Sequence, residues 1–206
     1  MLSYEDKLNR DLAWALREGG MHFDNDSRVH RTLRDITRKL DELGIPYALA
    51  GAMCMFLQGY RRFTEDVDMV VTPDGLHRIH EQLEGRGYIR PQGSTKNLRD
   101  TESGVRIEFL ITGQYPGDGK PKPVAFPDPN EAGVMIEGIR CLTLAKLIEM
   151  KIASGTTTDR LKDLADVQEL IRALKIPLEL AEQLDTSVRA VFIDLWRRTQ
   201  HLPDEH

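Results

Sequence analysis

Two short stretches limit what this chain can fold into more than any others. In Asp66-Val-Asp-Met-Val-Val71 acidic and apolar residues alternate, and Val105-Arg-Ile-Glu-Phe-Leu-Ile111 repeats the design. Successive side chains on a strand point to opposite faces. As a strand, the first stretch buries Val67, Met69 and Val71 and stands Asp66 and Asp68 together on the other face. The second buries Val105, Ile107, Phe109 and Ile111 and turns Glu108 the other way. Adjacent carboxylates repel unless a cation lies between them. Three of them on neighbouring strands make a hard-oxygen set suited to one or two Mg2+ ions, which points to phosphoryl-transfer chemistry.

The flanking sequence predicts the scaffold. Residues 4–18 read as a helix with Leu8, Leu12 and Leu16 in register, stopped at Gly19-Gly20. Residues 27–43 place Val29, Leu33, Ile36, Leu40 and Leu43 on one helical face, and Gly44-Ile-Pro46 ends that run. A strand at 47–50 meets Gly51, and a helix over 52–58 follows. A further helix is expected at 74–84, then strands near 86–90 and 94–100 ahead of the one at 105–111. Residues 113–130 hold five prolines and three glycines, so they form a loop. A strand near 133–136 and a turn at Glu137-Gly138 lead into helices at 143–154, 158–174 and 186–199. The pattern is α+β: a small mixed sheet flanked by helices over 1–140, and a C-terminal helical bundle over 141–206.

Composition narrows the class. Of 206 residues, 40% are hydrophobic and 30% charged, an ordinary globular balance. A net charge of −5 argues against wholesale nucleic-acid coating and leaves a local basic groove open. Cys54 and Cys141 form no CxxC pair and read as small core residues of a reduced, cytoplasmic protein. No stretch approaches a membrane span, and no signal peptide is expected at the N-terminus. His22, His30, His77, His80, His201 and His206 show no zinc spacing and read as solvent-facing.

At the level of motifs, Leu49-Ala-Gly51-Ala52, Asp66-Val-Asp68 and Ile107-Glu108-Phe109 resemble the nucleotidyltransferase (polymerase-beta-like) superfamily. Its pattern is Gly-Gly/Ser, then Asp-x-Asp/Glu, then a third carboxylate on a strand. Arg62-Phe-Thr64-Glu-Asp66-Val-Asp68 is most similar to the branch containing the AbiEii-type toxins of type IV toxin–antitoxin systems. Lys151, Arg160, Asp163 and Asp166 resemble that branch's C-terminal motif, so the likeness spans most of the chain. It implies transfer of a nucleoside monophosphate from an NTP to an acceptor hydroxyl, with Asp66, Asp68 and Glu108 holding Mg2+. Gly51, Ala52, Arg62, Thr64, Lys151 and Arg160 would contact the nucleotide, and Lys151 and Asp163 would assist catalysis. The implied acceptor is tRNA or another RNA, with a cognate antitoxin as partner. An RNA acceptor predicts Arg61, Arg62, Lys120, Lys122, Lys151 and Lys162 on one face.

Two alternatives follow from the same residues. A small-molecule acceptor, as in antibiotic nucleotidyltransferases, predicts a closed pocket. Ala52 stands where the superfamily has Gly or Ser and offers no hydroxyl to a triphosphate, which favours a non-catalytic nucleotide-binding or interaction module. Lys151 continues the apolar stripe Leu144, Leu147, Ile148 and needs an anionic partner or a route to solvent. Asp163 and Arg160, three residues apart on a helix, read equally as a surface pair.

Overall fold

The computed structural model describes residues 3–156 and 160–200. Seven strands form one mixed sheet in the order β3-β4-β5-β2-β1-β7-β6. The strands are β1 (Tyr47–Leu49), β2 (Asp66–Val71), β3 (Tyr88–Ile89), β4 (Asn97–Asp100), β5 (Arg106–Ile111), β6 (Gly133–Ile136) and β7 (Ile139–Leu142). The pairs β2/β5 and β1/β7 are parallel, and the remaining pairs are antiparallel. The helices are α1 (Tyr4–Arg10), α2 (Leu12–Phe23), α3 (Arg28–Glu42), α4 (Gly51–Leu57), α5 (Pro73–Leu83), α6 (Pro129–Ala132), α7 (Leu144–Gly155), α8 (Leu161–Ala173) and α9 (Thr186–Thr199).

The alternation in the two acidic stretches acts as expected. Val67, Met69, Val71, Val105, Ile107 and Phe109 are buried on the core side of the central pair. Val29, Leu33, Ile36 and Leu40 of α3 join the same core. Helix starts follow local capping: the side chains of Ser27, Thr72 and Thr143 accept from the backbone N–H three residues on, opening α3, α5 and α7. Pro73 at the start of α5 gives up an N–H that has no helical partner there.

Several expectations are corrected. The first helix is two helices, because the Asp11 side chain accepts from Trp14 N–H and starts α2 afresh. The new phase puts Trp14, Glu18 and His22 inward, and Leu12 and Leu16 are left exposed. Gly19 and Gly20 do not stop α2, which runs on to Phe23. The turn at Glu137-Gly138 leads first into β7, too short and mixed to register as a strand, and only then into helix. A 3-10 turn at Leu178–Gln183 fills the gap before α9. His22 and His30 are buried, not solvent-facing, stacked together at 4.7 Å and wedged against Phe56. His77 is exposed as expected, whereas the His80 ring is mostly covered; His201 and His206 lie outside the described residues. Cys54 and Cys141 are both buried free thiols.

Candidate active site

The site lies where β2 and β5 run side by side. Their register sets Asp66 opposite Arg106 and Asp68 opposite Glu108. With a side-chain period of two, all four groups share one face of the sheet. Three carboxylates and one guanidinium thus occupy the corners of a small quadrilateral. Arg106 Nη2 lies 2.6 Å from Asp66 Oδ2 and 4.0 Å from Glu108 Oε2. Thr64 donates to the other oxygen of Asp66 at 2.9 Å. Asp68 has no such cation beside it among the described residues. Enclosure first, then the charges of Asp66 and Glu108, push its carboxyl up to about 7.

Gly51 supplies the next wall. It begins α4 with φ +58°, in the left-handed region that favours glycine, and a Cβ there would stand 2.7 Å from Asp68 Cγ. The backbone is drawn this close because Ala50 N–H donates to the Asp68 carbonyl at 2.8 Å. Ala50 offers no side-chain cap, so the first N–H groups of α4 stay available. Ala52 is buried and contributes only backbone.

The opposite wall comes from α7 and α8. Lys151 is 7% exposed and donates to Asp163 at 3.1 Å and to Asp166 at 2.6 Å. Arg62 reaches Asp166 from the other side at 3.0 Å. Ser154 donates to Asp163 at 2.6 Å, and Arg160 in turn donates to Ser154 at 3.2 Å. Asp163 and Arg160 remain 3.9 Å apart. The lysine on the apolar stripe therefore finds its anions within the chain.

Between these walls is a cavity of about 370 Å3. Every residue expected at the site lines it: Gly51, Ala52, Arg62, Thr64, Asp66, Asp68, Glu108, Lys151, Arg160 and Asp163. Arg106, Ser154 and Asp166 line it too and were not among the expected site residues. Arg106 was legible, since it lies two residues before Glu108 and must share its face. Asp166 belongs to the C-terminal motif of the resemblance, although a solvated face explains it about as well on sequence, and the meeting of α7 with α8 places it at the cavity. Leu110, Phe126, Leu147 and Met150 give the cavity an apolar part. The Nε atoms of Arg62 and Arg106 are buried without a partner among the described residues, although both side chains line the cavity.

The donor set suits a hard divalent cation: carboxylates whose mutual repulsion such an ion would relieve. Among the described residues no three of them yet converge on one point, because Asp66 is turned toward Arg106 and Thr64.

No protein-family model and no curated relative matches the sequence. Solved structures do. ANT(2'')-Ia, crystallised in complex with adenylyl-2''-tobramycin, superposes with a TM-score of 0.53 at 12% identity, over 82% of this chain and 97% of its own. JHP933 from Helicobacter pylori matches with a TM-score of 0.47 at 18% identity, covering 84% of this chain and 89% of its own. An antigenic nucleotidyltransferase-like protein from Paracoccidioides brasiliensis gives 0.45 at 18% identity, over 70% and 76%. The first likeness shows the fold. The chain has a nucleotidyltransferase fold, with its three carboxylates, glycine turn and cationic wall facing one cavity.

Proposed function

We propose that this protein is a nucleotidyltransferase that moves a nucleoside monophosphate from an NTP to an acceptor hydroxyl. The observation that carries the reading is the sheet face on which Asp66, Asp68 and Glu108 stand together, opposite a wall bearing Arg62, Lys151 and Arg160. Asp66, Asp68 and Glu108 would hold Mg2+, which when bound neutralises triphosphate charge and lowers the cost of forming an alkoxide. The guanidinium groups of Arg62 and Arg106, which line the cavity, would meet phosphate oxygens, and the N–H groups of Gly51 and Ala52 would add uncharged donors. Asp163 takes the acceptor proton, its carboxylate fixed in direction by Ser154 and Lys151. The acceptor oxygen bonds to the α-phosphorus and pyrophosphate leaves.

For the acceptor, the arrangement favours a small hydroxylated molecule over RNA. Of the six cations expected on an RNA-facing surface, Arg62 and Lys151 are paired with Asp166, and Lys122 is tied to Pro116 and Asp118 of its own loop. Lys162 is exposed beside the cavity, and Lys120 is 82% exposed. The likeness to ANT(2'')-Ia points the same way, although the cavity is partly open to solvent and not the closed pocket expected for a small acceptor. The toxin reading, with RNA acceptor and antitoxin, rests on the motif resemblance alone.

The test is incubation with each α-labelled NTP and Mg2+, offering total RNA and a panel of aminoglycosides and other polyols in parallel. The Asp66→Ala/Asp68→Ala protein is the control. Label entering a small molecule with the unaltered protein alone supports the proposal, and label entering RNA reassigns the acceptor. Mg2+-dependent NTP binding without transfer to either would support the non-catalytic module that Ala52 suggests.

A further inference from the structure

Arg106 makes the carboxylate face a different object from three acids awaiting cations. The register fixes its position: it is the cross-strand neighbour of Asp66, on the same face as Glu108. Its guanidinium is 2.6 Å from Asp66 and 4.0 Å from Glu108, close enough to neutralise the first and bias the second. With Thr64 on the other oxygen, both Asp66 oxygens are engaged by the protein itself. The remaining pair, Asp68 and Glu108, stand opposite each other with no cation nearer than Arg106 at 4.0 Å among the described residues. With all three carboxylates ionised, the state that a bound cation would favour, three negative charges and one positive leave a net charge of about −2 on the quadrilateral, the complement of one divalent ion. Two divalent ions would leave the face positive, with a guanidinium packed against them.

We infer that Arg106 is a positioning residue standing in for the second cation, so that the site takes a single divalent ion, at Asp68 and Glu108. This rests on the proposed cation-dependent function, specifies its stoichiometry and narrows the ion's ligands from the three carboxylates to two, since both Asp66 oxygens are already engaged. Arg106 then holds Asp66 in a fixed orientation, with its own Nε buried and without a partner among the described residues. It delivers fixed positive charge with no ion to recruit.

The experiment counts Mn2+ bound to the full chain by electron paramagnetic resonance of the free ion, with thermal melting to confirm folding. The unaltered protein is expected to bind one Mn2+. Arg106→Gln removes the charge and keeps amide donors, and is expected to bind two, the first about tenfold more tightly. Arg106→Lys restores a cation and returns the count to one. Two ions in the unaltered protein, or one at unchanged affinity in Arg106→Gln, would overturn the assignment and leave nucleotidyl transfer standing. Loss of Mn2+ from Arg106→Gln would also overturn it, making the arginine a scaffold for the ion's ligands. No Mn2+ in any of the three would remove the cation site itself, and the proposed function with it.

Discussion

Gly51 and Asp68 are in contact through an atom that Gly51 does not have. A Cβ at that position would stand 2.7 Å from the Asp68 Cγ and 2.9 Å from its Cβ, well inside van der Waals contact. Gly51→Ala therefore meets two costs, a left-handed φ disfavoured by about 1 kcal/mol and displacement of the carboxylate. The expected result is a protein that still folds, with a lowered melting temperature and NTP binding weakened at least as much as in Asp68→Ala. Equal NTP affinity in Gly51→Ala and the unaltered protein would show that the close approach has no bearing on the site.

The crowding around Asp68 has a measurable signature in the cation-free chain. Its carboxyl is pushed from 3.8 up to about 7 by enclosure and by Asp66 and Glu108. Between those pH values the folded chain keeps a proton that the unfolded chain has released, so stability falls as pH rises across the window and levels off above it. Asp68→Asn carries no charge to repel. Melted in EDTA, it should be more stable than the unaltered protein at pH 8 and nearly equal at pH 4.

Lys151 holds two carboxylates, and its loss should be costly. Lys151→Met keeps the volume and apolar stem but leaves Asp163 with the Ser154 hydroxyl and, among described cations, Arg160 at 3.9 Å, while Asp166 retains Arg62. Removing one partner from a buried pair costs about 3–5 kcal/mol. Because Asp166 keeps a cation, the expected loss from urea unfolding is at the lower end of that range. Adding Asp163→Asn should recover part of it, and an unchanged urea midpoint for Lys151→Met would show that the pairs contribute no stability.

Acid should loosen the fold through the imidazole pair. His22 Nε2 donates to the Arg62 carbonyl, so in the neutral ring Nδ1 accepts, and Ser27 spends its one proton there. His30 Nδ1 must then donate to Ser27, at 2.9 Å. Burial holds His22 below its ordinary value, and burial together with His22 lowers His30 from 6.5 to about 4. A lowered histidine contributes stability above its unfolded value that is lost as pH falls toward the folded one. The His30→Phe protein, lacking the proton site, should lose less stability than the unaltered one between pH 7 and pH 4. The expected difference is roughly 2 kcal/mol.

What was legible on sequence and what was not divide along a physical line. Strands β2 and β5 announce themselves because burial on one face alone enforces a period of two, and α3 because its apolar residues keep to one helical stripe. The three carboxylates follow directly. The break at Asp11 does not, because one capping hydrogen bond outweighs a continuous run of helix formers. Burial of His22 and His30 was hidden for a related reason, since it depends on Ser27 and a carbonyl 40 residues away in sequence. Asp166 stayed undecided between site and solvated face because nothing within α8 shows that Lys151 and Arg62 converge on it from two other segments.

Strand β7 lies parallel to β1, with Cys141 beside Leu49. One strand runs straight into Gly51, and the other, through Thr143, into the helix that carries Lys151. The separation between the glycine turn and the lysine wall is thus ruled off by a backbone ladder, in steps of about 3.3 Å. The hairpin at Glu137-Gly138 joins β7 to β6, the edge strand, so β7 keeps its place on β1 whatever the outer strand does. A residue gained or lost in that turn is expected to slip β6 along β7 and to leave α7 where β1 sets it.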